Sequence, residues 1–512
     1  MFRWGFLVLA LALPACAQFD TAEVLGTVHD KSDAVLANAE VTLLNQSTGL
    51  KATTQADASG HYAFSNVKIG TYTVSAEAQG FSRGQAKDVI VNVNARQRVD
   101  LTLQVGTVNE TIEVTGAASA LQTDSSERGQ LVSSRAVVEL PLNGRAYSDL
   151  ALLTTGVLKS PSAGSREGSF IVNGLRSTFN NYLLDGIDNN AYGTSNQGFA
   201  NQVAQPAPDA VAEFKVITNN YSAEYGRSGG ATIDVALKSG TNQLHGSAYD
   251  FLRNTNLNAI GYIFGARPAT FKKPMLQQNQ FGLTVGGPLV KNRFFFFGDY
   301  EGFRALARTL TFASLPTLAE RQGILPVTVT NPLTGGVYPA GTAVPLSSFA
   351  RKVLNDLPTP ASAGRSNNYQ QLSLDRNYND KYDGKVDGQV RNNLYGFARI
   401  SQRKMNIFNE PNIPGLSGGN SNGFTRVLNQ QGSAGATWTM SPQSVLEGRF
   451  GVSRTRAGKQ PPLVGGASMF ALYGITGLPE TADLTGGLTS QTISGFSALG
   501  RQSTNPQFQN PL

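Results

Sequence analysis

His29, His61 and His245 are the three histidines of the chain. Zinc hydrolysis needs His and carboxylate ligands at short spacing. None of the three has a Glu three residues on, and they lie far apart in sequence. Cys16 is the single cysteine, and it falls inside a leader-like N-terminus. Disulfides, thiolate catalysis and Cys-based metal sites are therefore excluded from the mature chain. Asp and Glu are available for acid–base work, but no spacing selects a pair. The reading is a non-enzyme, with no catalytic residue, metal ligand or cofactor expected. What remains are arginines and carboxylates able to form buried ion pairs, and a short β-prone segment able to join a partner's sheet.

The elements that must carry these groups are mostly strands. The chain has 512 residues, 55 Gly and only 15% charged residues, which suits a Gly-rich, multidomain, mainly β protein. The net charge of +7 is scattered and forms no basic run, so no nucleic-acid partner is expected. MFRWGFLVLALALPACAQ has a basic start, an apolar run and a small-x-small site, so residues 1–17 read as a signal peptide. A lipoprotein reading through Cys16 is set aside because Pro14 sits awkwardly in the site. No later apolar stretch is long enough for a spanning helix. Entry into a membrane would therefore be by strands.

Residues 21–104 alternate apolar and polar positions between turn signals and read as a small β-sandwich. DASGHYAFSNVKIGTYTVSAEAQGF resembles the carboxypeptidase regulatory-like domain. That resemblance implies a non-catalytic module with Tyr62, Phe64 and Tyr72 in its core. Residues 105–120 read as a linker containing NETIEVTG. The segment is either a linker strand or an extended peptide offered for strand addition. It resembles the TonB box of outer-membrane transporters, which implies a coupling role for Glu110, Thr111, Ile112, Glu113, Val114 and Thr115.

Residues 121–240 have α/β texture. PLNGR at 141–145, NGLR at 173–176, DG at 185–186, EYGRSGG at 224–230 and KSGTNQLHG at 238–246 together resemble the plug domain of TonB-dependent receptors, running into a first barrel strand. The style is that of the Oar-like branch. Arg145, Arg176 and Arg227 would need carboxylate partners if buried, and Asp185, Asp188 and Glu224 are the candidates; all six read as locks between plug and wall, with substrate contact as the alternative role. Gly226, Gly229 and Gly230 suit positive φ or close backbone approach inside a crowded barrel.

Residues 241–512 read as strands joined alternately by long and short connections, the pattern of an outer-membrane barrel. Turns at 291–292, 391–393 and 441–443 should share one end of the sheet. Segments 254–276, 305–377 and 405–425 should lie at the other. In KNRFFFFGDYEGFR, Phe294, Phe296 and Tyr300 should face lipid, while Phe295, Phe297, Asp299 and Glu301 face inward. About seven strands are legible, against about 22 in plugged transporters. The chain is thus expected to be the N-terminal part of a longer receptor and not a stable pore by itself. The expected fold is a sandwich, a small α/β plug and a partial, open antiparallel barrel. The expected function is a TonB-dependent outer-membrane transporter, with its N-terminal domain in the periplasm. Its expected partners are outer-membrane lipid, the TonB–ExbB–ExbD energy complex and an external ligand of unknown class. The alternative is a surface binding or adhesion protein that displays its long loops without transport.

Overall fold

The computed structural model describes residues 22–106, 111–114, 124–160, 169–191, 201–226, 229–259, 273–418, 423–441, 444–477, 486–501 and 507–509. The first unit is built from β1 (Ala22–Asp30), β2 (Glu40–Asn45), β3 (Lys51–Gln55), β4 (His61–Val67), β5 (Gly70–Glu77), β6 (Arg83–Val91), β7 (Arg96–Arg98) and β8 (Leu101–Leu103). Its two sheets bury alternate residues, as the regular in–out pattern of β1 shows. Val24, Val41, Tyr62, Val74 and Leu103 meet between the sheets. β9 (Thr111–Val114) joins the same unit, pairing in parallel along β6.

The second, inner unit carries β10 (Arg128–Ser133), β11 (Val157–Lys159), β12 (Phe170–Val172), β13 (Asn181–Leu184), β14 (Ile187–Asp188), β15 (Val211–Asn219) and β16 (Thr232–Leu237). Five of these strands form one sheet in the order β10-β15-β16-β13-β14. Its α-helix, Ser134–Glu139, is capped by the Ser133 side chain. It stops at Leu140, whose backbone is extended because Pro141 follows. After the Pro-Leu-Asn-Gly turn the chain forms a 3-10 segment, Tyr147–Leu153. Of the three glycines expected in close approach, only Gly230 is crowded. A Cβ there would lie 2.8 Å from the Phe179 carbonyl oxygen, whereas Gly226 has open space.

The wall is an antiparallel sheet of β17 (His245–Asn254), β18 (Leu276–Val290), β19 (Phe294–Ala313), β22 (Tyr369–Arg391), β23 (Leu394–Asn409), β24 (Gly423–Ser441) and β25 (Ser444–Gln460). An eighth strand, β26 (Gln507–Gln509), pairs with β25. The sheet is open. Phe294, Gly388, Gly396, Ala436 and Gly448 lie in one cross-strand row, so the short turns share one end as expected. Pro442 and Gln443 lie outside the described residues. Phe295 and Phe297 are buried, and Phe297 packs into the inner unit's core. Asp299 and Glu301 are also buried, while Phe294, Phe296 and Tyr300 take the alternate face.

The strands run further than the sequence suggested. β19 reaches Ala313 and β22 begins at Tyr369, so the connection between them spans residues 314–368. That connection holds the hairpin of β20 (Val329–Thr330) and β21 (Val337–Tyr338) and the helices Leu318–Arg321 and Ser348–Asp356. Leu315, Val353, Leu357, Ile413, Met469, Tyr473, Leu488 and Leu499 come from successive long connections and form one core. The loops at this end are therefore a folded cap.

Candidate functional site

The inner unit's core is its own, with Phe297 as the wall residue inside it. Its other contacts with the wall are largely polar; Arg403 and Asn429 of the wall donate to the Gln205 side chain and the Val203 carbonyl, and two further places gather buried charges.

The first centres on Arg145. Gly144 and Arg145 both take positive φ, which turns the chain sharply after Asn143. The Arg145 guanidinium pairs with the Asp209 carboxylate of its own unit and lies 3.5 Å from Glu301 of β19. Tyr249 and Phe251 of β17 flank it at 4.7 and 4.3 Å. Glu301 also receives Lys381 at 2.8 Å and the Tyr249 hydroxyl at 3.1 Å. One buried carboxylate thus ties three wall strands to an inner-unit arginine.

The second centres on Asp185. Asp185 and Gly186 take positive φ and join β13 to β14 as a two-residue hairpin, the turn an Asp-Gly pair favours. The hairpin tip enters the wall. Lys385 of β22 reaches Asp185 at 2.9 Å and Arg399 of β23 at 3.2 Å. Arg449 of β25 donates to the Asp185 carbonyl at 3.2 Å. Burial pushes the Asp185 carboxyl up, but Lys385 and Arg399 outweigh it and hold it below the ordinary range. Beside it, Ile187 packs where the wall has Gly451; a Cβ there would lie 2.6 Å from Ile187 Cγ2.

The other expected lock residues fall differently. Asp188 accepts from Asn190 at 2.8 Å, and its carbonyl receives Gln431 of the wall at 3.0 Å. Arg176 and Glu224 are exposed and join no ion pair among the described residues. Arg176 sits after the polar Asn173-Gly174 turn, and Glu224 in the loop after β15. Residue type alone could not show which inner-unit turns meet the wall. Of the expected lock residues, Arg145 meets Asp209 and Glu301, and Asp185 meets Lys385 and Arg399. Arg227 lies outside the described residues.

Glu110 and Thr115 of the expected coupling segment also lie outside them. The backbone of Thr111–Val114 runs beside Arg83–Ala86 at the edge of the sandwich sheet. The segment is thus docked on its own domain.

The sandwich also touches both other units, which sequence reasoning missed. Lys68 lies 3.1 Å from Asp387 of β22 and 4.2 Å from the Tyr395 ring of β23. Asn242 donates to the Thr48 carbonyl at 2.8 Å. The Val93 N–H donates to Glu213 of β15, and Lys215 donates to the Asn94 carbonyl at 3.0 Å. Burial pushes the Glu213 carboxyl up to about 7. A cavity of about 810 Å³ lies where the three units meet, lined in part by Lys68, Asp185, Glu213, Asp387 and Tyr395. No sequence signal marked Lys68, which reads as an ordinary turn lysine. Among the described residues no group of three His, Cys, Asp or Glu could hold a metal, and no helix is long and apolar enough to cross a membrane.

Comparison with known families follows the same division. Residues 23–104 match the carboxypeptidase regulatory-like domain, residues 131–233 the TonB-dependent receptor plug domain, and residues 236–511 the outer membrane beta barrel domain. The TonB-dependent transporter Oar of Myxococcus xanthus is 26% identical over 324 residues, covering 61% of this chain and 30% of that protein. The outer membrane transporter YddB of Escherichia coli covers 66% of this chain at 12% identity and a TM-score of 0.43, through 40% of its own length. A ferric enterobactin receptor mutant of Pseudomonas aeruginosa, solved with enterobactin, covers 75% at 13% identity and a TM-score of 0.40, through 44% of its own length. The chain spans less than half the length of each.

Proposed function

This chain belongs to the outer membrane beta barrel domain family, as an Oar-like TonB-dependent receptor of the Gram-negative outer membrane, and from that premise we propose that it serves an energy-coupled transporter without catalysing a reaction. The inner unit is the movable plug, and the wall is the start of the barrel. The observation that carries this reading is the character of the contact between them. The plug keeps its own hydrophobic core, and its buried charges are shared with the wall. Polar contacts can be exchanged for water or for other polar partners without dismantling that core.

Arg145 and Asp185 act as the two locks. Thr111–Val114 is the handle, and the TonB–ExbB–ExbD complex is the partner that pulls it. The handle precedes, in the chain, β10, an edge strand of the plug sheet. Force applied there meets a strand with one neighbour instead of two. An external ligand reaches the plug from the capped end.

A second reading, surface binding or adhesion without transport, is favoured by the folded cap. Deleting residues 109–116 separates the two. Loss of uptake with retained surface binding supports transport. Unchanged uptake and binding would leave display.

A further inference from the structure

One end of the sandwich is turned toward the other two units. Asn45 pairs with Tyr72 and Gly70 with Val91, so the turns at residues 46–50, 68–69 and 92–95 share that end. Each turn meets a different target. At the first, the Asn242 N–H donates to the Ser47 carbonyl at 3.1 Å and its side chain to the Thr48 carbonyl at 2.8 Å. Asn242 also accepts the Asn292 N–H at 2.8 Å, which ties this turn to the short turn between β18 and β19. At the second, Lys68 reaches Asp387 and the Tyr395 ring, beside the short turn between β22 and β23. Tyr72 steadies that turn by donating to the Lys68 carbonyl at 2.9 Å. At the third, the Val93 N–H and the Asn94 carbonyl meet Glu213 and Lys215 of the plug.

The cavity of about 810 Å³ lies at this junction. Its lining joins Asp185, Lys385 and Arg449 of the second lock to Lys68, Tyr72 and Val91 of the sandwich. A solute that passes the plug hairpin along β22–β25 therefore meets the sandwich before it meets open water. The contacts that hold the sandwich there are polar. Its hydrophobic core contains no residue of the plug or the wall. It can leave as a unit, exchanging polar contacts for water while that core stays closed.

We infer that the sandwich is a second gate, standing across the periplasmic exit beneath the plug and undocking as a unit to let a ligand out. Its part in transport rests on the transporter reading; the closure itself does not. The two gates open in order because their locks are neighbours on one strand. Lys385 and Asp387 are alternate inward residues of β22, about 7 Å apart along the strand. Lys385 donates to Asp185 and to the Leu237 carbonyl, both in the plug. When the plug leaves, Lys385 loses both and turns to Asp387. Lys68 then shares its carboxylate with a second cation, and the sandwich loosens.

The test uses full-length receptor in mild detergent with Ala212→Cys as reporter, since Ala212 lines the cavity and is half-buried. Labelling by a bulky polymer maleimide is followed over time. K68E should speed it about fivefold, the size of one part-exposed ion pair. K68Q serves if K68E does not assemble. D185N should speed labelling too, and K385M added to D185N should cancel that gain. A wild-type rate in the Lys68 variant would overturn the gate. A wild-type rate in D185N would overturn the order of opening. A bridge gives a second measurement. A sulfur at 292 would replace the Asn292 Cγ, 3.2 Å from where a Gly49 Cβ would stand, which suits a disulfide. Both positions have positive φ, so G49C/N292C is compared oxidised against reduced. In cells whose receptor also carries D185N, oxidation should return entry of the large glycopeptide vancomycin to the level of the unmutated receptor. Equal entry in the two redox states would overturn the gate. Neither measurement needs the energy complex, so deletion of residues 109–116 tests the transporter reading separately.

Discussion

Asp185 of the plug and Lys385 of the wall form a buried ion pair at 2.9 Å, with Arg399 as a third member at 3.2 Å. The three charges are all but excluded from solvent, so removal of one leaves the others uncompensated. Asp185→Asn should loosen the plug by about 3–5 kcal/mol. Hydrogen exchange in β13 and β14 should rise, and so should entry of large antibiotics through the receptor. A double-mutant cycle with Lys385→Met should show coupling. Strict additivity of the two changes would mean that the pair does not hold the plug.

Arg145 tests fork geometry separately from charge. It faces two carboxylates and two aromatic rings at once. Lysine keeps the charge but loses the planar fork and the stacking. Arg145→Lys should therefore behave more like Arg145→Met than like wild type in plug stability, losing on the order of 2 kcal/mol or more. Wild-type protection of the β17 amides in the lysine variant would show that charge alone suffices.

The sandwich–plug junction should respond to pH through Glu213, whose burial raises its carboxyl to about 7 from 4.5. An acid with a raised pKa binds more protons when docked than when released. The junction is then at full strength below about pH 4.5 and weakens as pH rises to about 7. The loss is at most about 3 kcal/mol for a shift of this size. Protease release of the N-terminal domain should quicken between pH 5 and pH 7.5 in wild type and change little in Glu213→Gln. Equal pH dependence in both would place the titrating group elsewhere.

Lys68 anchors the same domain to the wall through Asp387 and the Tyr395 ring. Lys68→Glu sets two carboxylates against each other. It should free the sandwich for cleavage in the linker while leaving the wall folded. An unchanged cleavage rate would show that the Lys68 contact does not hold the domain.

Much of this architecture is legible because two strong periodicities coincide. Alternation in FFFFGDYEGF fixed which side chains face the plug, since a one-residue slip would reverse every position. The Asp-Gly pair at 185–186 signalled a tight hairpin. Its wall partners were harder to assign, because Lys385 and Arg399 are two among many inward polar residues and only the three-dimensional register brings them to one tip. Strand length beyond the apolar band was missed for a related reason. YQQLSLDRNYND reads as loop by composition, yet its ladder continues opposite β19 with pairs such as Leu310 and Leu372. The cap was illegible because its core is assembled from several connections, each contributing a few apolar residues that no local period reveals.

The claim most exposed to test is that the plug must leave its seat in the wall for transport. Ile187 and Gly451 lie in contact across that seat. Only Cys16, in the expected leader, could compete with an engineered pair. Ile187→Cys with Gly451→Cys should form a bridge on oxidation in assembled receptor. The account predicts that the oxidised receptor binds its ligand normally, transports none, and recovers uptake when reduced. Full uptake by receptor shown to be completely cross-linked would contradict it.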